Sequence, residues 1–182
     1  MKKNVNVRFL AEGGITIALA VALSYLKIPL GSSGGSVDLV MIPLIIFSMR
    51  AGLGWGLGAG FVFGTLKYFF AQGLAVNWIS IIFDYSVAYA AVGCAGLFRK
   101  NYNLLPLAAF VGCLARFAVH FVSGITVYAE YLPDSFMGVD NPPLWLYSLL
   151  YNGAYMLPNT ILAIVICALL IFPGQKLKSP KS

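Results

Sequence analysis

Charge is what this sequence has least of. Asp, Glu, Lys and Arg make up 10% of its 182 residues against 60% hydrophobic types. With a mean hydropathy of +0.86, too little polar surface remains to cover a globule in water. That excludes a soluble domain, a disordered chain and a fibrous repeat. Histidine occurs once and cysteine three times. Cys94, Cys113 and Cys167 each sit inside an apolar run without paired spacing, which excludes a disulfide framework and a metal knuckle and leaves them as small packing residues. There is no Gly-x-Ser-x-Gly elbow, no His-Glu-x-x-His and no Gly-Lys-Ser/Thr phosphate loop, so the chain carries no hydrolase or ATP motif. No metal or cofactor is expected. Acidic residues are half as many as basic ones, six against twelve. The basic residues cluster at the ends of apolar runs rather than along one face, so they report membrane orientation and not nucleic-acid binding.

What is abundant is apolar sequence in long runs. A hydrocarbon core of about 30 Å takes roughly 20 residues of helix, with every backbone group satisfied internally. Runs at about 7–26, 38–50, 53–72, 77–98, 104–128 and 144–172 predict an all-α integral membrane protein, a single domain over 1–182 built as a six-transmembrane-helix bundle. The first run lacks a small-residue cleavage site before Lys27 and Pro29 and is read as a retained helix. With both termini cytoplasmic, nine of the twelve basic residues fall inside (Lys2, Lys3, Arg8, Arg50, Arg99, Lys100, Lys176, Lys178 and Lys181), and Lys27, Lys67 and Arg116 are the exceptions. Asp38, Glu130, Asp134 and Asp140 are expected to collect at the outer face.

The second run is short, about 13 residues or 20 Å of helix. The Gly-rich stretch 27–37 before it is expected to fill the outer half as a lid over an outward-facing cavity, with a solvated connector above a tilted bundle as the alternative. Gly52, Gly56, Gly60 and Gly64 recur every four residues along the third run, and Gly14, Ala18 and Ala22 do so along the first. Such stripes let another helix approach closely, from within the chain or from a partner.

Ionisable groups inside spans cost several kcal/mol unless a cavity or partner receives them. Asp84, about 10 Å deep in the fourth run, is read as the only carboxylate embedded in the outer half; an internal pair with Lys67 or Arg116 is the structural alternative. Tyr85 adjoins it, and Arg116 and His120 share a face of the fifth run. Tyr147, Tyr151, Asn152 and Tyr155 lie in the outer half of the sixth, and Phe63 and Tyr128 add aromatic area at similar depth. Trp78 and Trp145 fit an interfacial belt, and Glu12 is placed for pairing with Arg8. One acid, one imidazole, one carboxamide and several aromatic faces suit a small flat heterocycle carrying positive charge. Without internal duplication or an ATP motif, transport driven by partner subunits is the favoured class.

The residues also resemble a family, the thiamine-specific S-components of energy-coupling factor (ECF) vitamin transporters. The resemblance is carried by Gly34-Gly-Ser-Val-Asp-Leu-Val-Met-Ile-Pro43, Ser48-Met-Arg-Ala-Gly-Leu53, Phe83-Asp-Tyr-Ser-Val-Ala88, Ala95-Gly-Leu-Phe-Arg99, Arg116-Phe-Ala-Val-His-Phe-Val-Ser-Gly124 and Leu146-Tyr-Ser-Leu-Leu-Tyr-Asn-Gly-Ala-Tyr-Met-Leu-Pro158. It implies a non-enzymatic cell-membrane subunit that captures thiamine from outside and docks on one ECF transmembrane subunit and two ATPases, which use the ATP. It further implies that Asp84, Tyr85, His120, Tyr128, Tyr147 and Asn152 hold the vitamin, with Phe63 and Gly34 at positions where some members carry Trp at or near the match. The Gly14, Ala18 and Ala22 stripe would meet the membrane subunit. Another vitamin or a thiamine precursor as cargo, or a stand-alone carrier, is the alternative.

Overall fold

The computed structural model describes residues 2–30, 35–70 and 75–176. Gly34, residues 71 and 72 of the third predicted run, and Lys178 and Lys181 of the orientation count lie outside the described residues. The described residues form six long helices: α1 Lys2–Ser24, α2 Met41–Ala51, α3 Leu53–Phe70, α4 Trp78–Phe98, α5 Leu105–Thr126 and α6 Leu144–Lys176. Two antiparallel hairpins interrupt them. β1 Ile28–Pro29 pairs with β2 Ser36–Val37, and β3 Ser135–Phe136 with β4 Val139–Asp140.

Four helical stretches are long and apolar enough to cross a bilayer alone: Asn6–Ser24, Trp78–Phe98, Tyr102–Thr126 and Leu144–Ile171. Of the other two, α2 is largely buried, while α3 buries its glycine face and exposes Leu57, Phe61, Val62 and Phe69. With 11 residues, α2 reaches only about 16 Å, while α3 carries several glycines and a buried Lys67. Side chains such as Ile15, Leu19, Leu157 and Leu169 face outward, as lipid requires. Trp78 and Trp145 are exposed near helix ends, where a belt would place them. Met41, Leu44, Ile45, Phe63, Tyr89, Cys113 and Met156 fill the interior.

Two ends can be distinguished by cross-links. Arg50 at the end of α2 bonds Glu12, half-way along α1, and the Lys100 N–H beyond α4 donates to Met49 O. At the opposite, loop-rich end, the Tyr25 hydroxyl after α1 donates to Phe70 O at the end of α3. Gly52 is the whole connection between α2 and α3. Its φ of 101° is open to glycine, its N–H donates to Ser48 O at 2.7 Å, and its own carbonyl accepts from Gly56 N–H at 3.0 Å.

The third-helix glycines pack internally. A Cβ at Gly60 would meet Tyr89 O and one at Gly64 would meet Tyr85 O, both backbone atoms of α4; Gly93 and Gly96 of α4 return the contact against the backbone at Leu57 and Leu53. Under this close approach α4 is not uniformly wound. It starts with a capping box, Asn77 Oδ1 accepting from Ser80 N–H at 2.9 Å, then runs as a π-helix over Ile81–Val87, returns to α-geometry over Ala88–Val92 and tightens to a 3-10 helix over Gly93–Phe98.

One expectation is corrected here. The second helix begins at Met41 rather than at residue 38, and Asp38 lies not at the outer surface but buried in the extended lead-in. Its carboxylate finds a cation inside the bundle, described below.

Gly60→Ala is expected to lower the melting temperature in detergent by about 3–10 °C, the equivalent of about 1–3 kcal/mol of overpacking. Gly58→Ala, with open space at its Cβ, should leave it unchanged or raised.

Candidate functional site

Asp84 lies in the π-wound stretch of α4, a winding that is rare and recurs at functional positions. Its Oδ1 is 3.2 Å from His120 Nδ1 on α5, and the two side chains are only 13% and 9% exposed. The other carboxylate oxygen, Oδ2, and the far ring nitrogen, Nε2, are buried without a hydrogen-bond partner. Unmet polar atoms at membrane depth cost several kcal/mol. The pair therefore carries two hydrogen-bonding positions that the protein itself leaves unmet.

The wall behind His120 is built by α6. Asn152 Nδ2 donates to His120 O at 3.3 Å and Ser148 O at 3.0 Å, while its Oδ1 accepts from the Tyr155 hydroxyl at 2.8 Å. The Ser148 hydroxyl donates to Phe121 O at 2.9 Å. Gly124 makes this seam possible, because a Cβ there would strike Ser148 Oγ. The His-Phe-x-x-Gly and Tyr-Ser-x-x-x-Asn elements are thus two halves of one helix contact.

Aromatic rings extend the wall in a continuous arc. Phe136 of the β3–β4 hairpin meets Tyr147 edge-on at 5.0 Å, Tyr147 meets Tyr151 at 5.7 Å, Tyr151 meets Tyr155 at 6.0 Å, and Tyr155 meets the His120 ring at 6.0 Å. On the α4 side Tyr85 packs edge-on against Tyr68 at 5.3 Å. The Tyr128 hydroxyl, just past α5, lies within electrostatic reach of Asp84 and of the Ser80 hydroxyl.

Beneath this layer is a second polar cluster. Lys67 Nζ is 2.7 Å from Asp38 Oδ2 and donates to the Tyr89 hydroxyl at 2.6 Å. Arg116, one turn before His120, donates to the same hydroxyl at 2.9 Å with its guanidinium 4.1 Å from the Tyr89 ring centroid. Phe63 is fully buried edge-on against that ring at 4.8 Å. Two cations and two carboxylates, Lys67 and Arg116 with Asp38 and Asp84, balance formally when His120 is neutral.

The loop entering α2 is fastened to both layers. Asn159 Oδ1 accepts from Asp38 N–H at 3.0 Å and its Nδ2 donates to Ser36 O at 2.8 Å. Gly35 sits so close to Tyr155 that a Cβ would overlap the ring.

Among the residues singled out from sequence, Asp84 and His120 are in direct contact, Asn152 braces His120, Tyr128 stands beside Asp84, and Tyr147 joins through the ring arc. Tyr85 turns to Tyr68, and Phe63 supports the lower cluster from the core. Asp84 does not pair with Lys67 or Arg116, and it is not the only embedded carboxylate, since Asp38 holds Lys67. Sequence reasoning missed Phe136, Ser148 and Asn159. Ser148 and Asn159 lie one turn either side of residues already in view, at 152 and 155, and helical spacing could have found them. Phe136 depends on a hairpin turn at Met137 and Gly138, both with positive φ, and left no such signal.

Gly14, Ala18 and Ala22 are exposed, and nothing stands near a Cβ built at Gly14. Glu12 pairs with Arg8 as its spacing suggested, at 2.9 Å, and also with Arg50 at 3.0 Å.

A family model described as thiamine transporter protein (Thia_YuaJ) matches residues 10–179. The chain belongs to that family. It is accordingly a multi-pass membrane transport protein and not an enzyme. Thiamine transporter ThiT of Bacillus subtilis (strain 168) is 33% identical to it over 192 residues, covering 95% of each chain. Thiamine transporter ThiT of Lacticaseibacillus paracasei is 27% identical over 193 residues, covering 97% of this chain and 93% of that one. In three dimensions, ThiT from Listeria monocytogenes superposes with a TM-score of 0.81 at 25% identity, over 96% of this chain and 99% of that chain.

Lys67→Met should strand the Asp38 carboxylate and destabilise the protein by about 3–5 kcal/mol. Adding Asp38→Asn should recover most of the loss, as read by thermal unfolding of the two variants in detergent.

Proposed function

We propose that the chain is the thiamine-binding S-component of an ATP-driven ECF-type importer in the cell membrane, with both termini in the cytoplasm. The observation that carries the reading is the buried Asp84–His120 pair, with its free carboxylate oxygen and ring nitrogen set among tyrosine rings. Thiamine joins a flat thiazolium cation through a methylene bridge to a flat aminopyrimidine with hydrogen-bonding ring nitrogens. Asp84 supplies the opposite charge, His120 Nε2 a directional hydrogen bond, and the rings of Tyr147, Tyr151 and Tyr155 apolar area with cation–π attraction of about 0.5–2 kcal/mol each. Asn152 fixes the wall on which His120 stands. Tyr128 and Tyr85 complete the rim, with Phe63 bracing the floor. The 27–37 loop serves as the lid, entering over Tyr155 from Gly35 onward and anchored by Asn159.

This chain uses no cofactor of its own. One ECF transmembrane subunit and two ATPases supply the energy, and the bare stripe Gly14, Ala18 and Ala22 is the surface where the transmembrane subunit approaches α1. The cargo leaves inward when that module rearranges the subunit.

Asp84→Asn removes the charge at nearly constant shape. It should weaken thiamine binding by about 10- to 150-fold, the equivalent of a charged hydrogen bond of about 1.5–3 kcal/mol, measured calorimetrically in detergent. Unchanged affinity removes Asp84 from the contact. Separately, Gly14→Trp or Ala18→Trp should spare binding yet abolish uptake in cells that express the partner subunits; normal uptake places the docking surface elsewhere.

A further inference from the structure

A groove of about 580 Å³ is lined by Ile15, Leu19 and Leu23 of α1, by Ile42 and Ile46 of α2 and by Ile166 of α6. From Glu12 to Leu23 it follows eleven residues of helix, roughly 16 Å, about the thickness of one leaflet's hydrocarbon layer. Its walls are almost wholly apolar. One end is not: Glu12, Thr16 and Arg50 line it there.

That end is basic beyond what its one acid offsets. Arg8 Nε and Arg50 NH2 both bond Glu12 Oε1, at 2.9 and 3.0 Å. Arg99 joins them from the end of α4, its Nε donating to Arg50 O at 3.3 Å and its guanidinium 5.7 Å from the Phe9 ring centroid. Three guanidinium groups around one carboxylate leave a formal charge of +2. Arg8 and Arg50 remain 69% and 42% exposed along their side chains, so their remaining donors are reachable.

We propose that this groove is a binding site for an anionic phospholipid, with one acyl chain between α1 and α2 and the headgroup phosphate at Arg50, Arg8 and Arg99. Basic pockets between transmembrane helices recognise anionic headgroups by charge, and Arg matches a phosphate in two-pronged fashion. A single acyl chain fits the length and the apolar lining. By the 3.6-residue repeat the groove is centred about 120° around α1 from Gly14, Ala18 and Ala22, with Ile15 at the seam between the two surfaces. The site is separate from the Asp84–His120 layer and its test is independent of thiamine.

The protein, exchanged into nanodiscs of equal phosphatidylglycerol and phosphatidylcholine, is released and weighed by native mass spectrometry. The wild type should retain one lipid, phosphatidylglycerol over phosphatidylcholine by about tenfold. Arg50→Gln with Arg99→Gln should bring the ratio close to one. Ile42→Trp, or Thr16→Trp from the opposite wall if the first variant does not fold, should abolish retention of either lipid. Equal retention of the two lipids by the wild type overturns the proposal, as does undiminished retention in the groove-filled variants. A lipid-free wild type whose Ile42→Cys variant cross-links to the transmembrane subunit also overturns it, and assigns the groove to a partner helix.

Discussion

The fold is organised around a lysine ammonium in a place where lipid forbids one. Lys67 enters on a helix too glycine-rich to shield it, and its charge is met by Asp38 from the loop before α2 and by the Tyr89 hydroxyl from α4. Arg116 reaches the same phenol from α5. One cluster of charges therefore ties four parts of the chain at mid-depth. Removing water around these groups strengthens each attraction while making any unpaired member costly. The cluster acts as a fixed floor, and the Asp84–His120 layer is laid on it one helical turn away.

Close backbone contact makes that floor possible. The glycines of α3 lie directly on the carbonyl oxygens of Tyr85 and Tyr89, which brings Lys67 within reach of Tyr89 and coincides with the widened π-winding that carries Asp84. On the other flank Gly124 lets Ser148 seal α5 to α6. Small residues here do not make weak joints. They set the distances at which the polar atoms meet.

Much of this was legible in sequence because lipid imposes simple rules. Run lengths predicted six helices, and the shortness of the second was visible. The four-residue spacing of Gly56, Gly60 and Gly64 announced a tight helix pair, and the sharing of one layer by Asp84, His120 and Asn152 followed from depth alone. What stayed hidden depended on contacts between distant segments. Asp38 looked like a surface acid because its partner lies 29 residues away, on a helix whose rotation no pattern revealed. Phe63 looked like a ring for a ligand, yet α3 turns it onto Tyr89. The π-winding had no marker, since no Pro or Gly interrupts residues 77–92, and the Phe136 hairpin turns on positive φ at both Met137 and Gly138, of which only the glycine is a turn residue.

A last consequence follows from the one-residue joint at Gly52. Both helices flanking it are bonded straight through it, Gly52 N–H to Ser48 O and Gly56 N–H to Gly52 O, so α2 and α3 form a bent rod with no slack at the elbow. The tip of α2, where Arg50 stands beside Arg99 at the end of α4, is thereby joined without a linker to the helix whose Lys67 holds Asp38 in the lead-in to α2. A single glycine thus leaves α2 and α3 no connecting segment in which one could shift independently of the other.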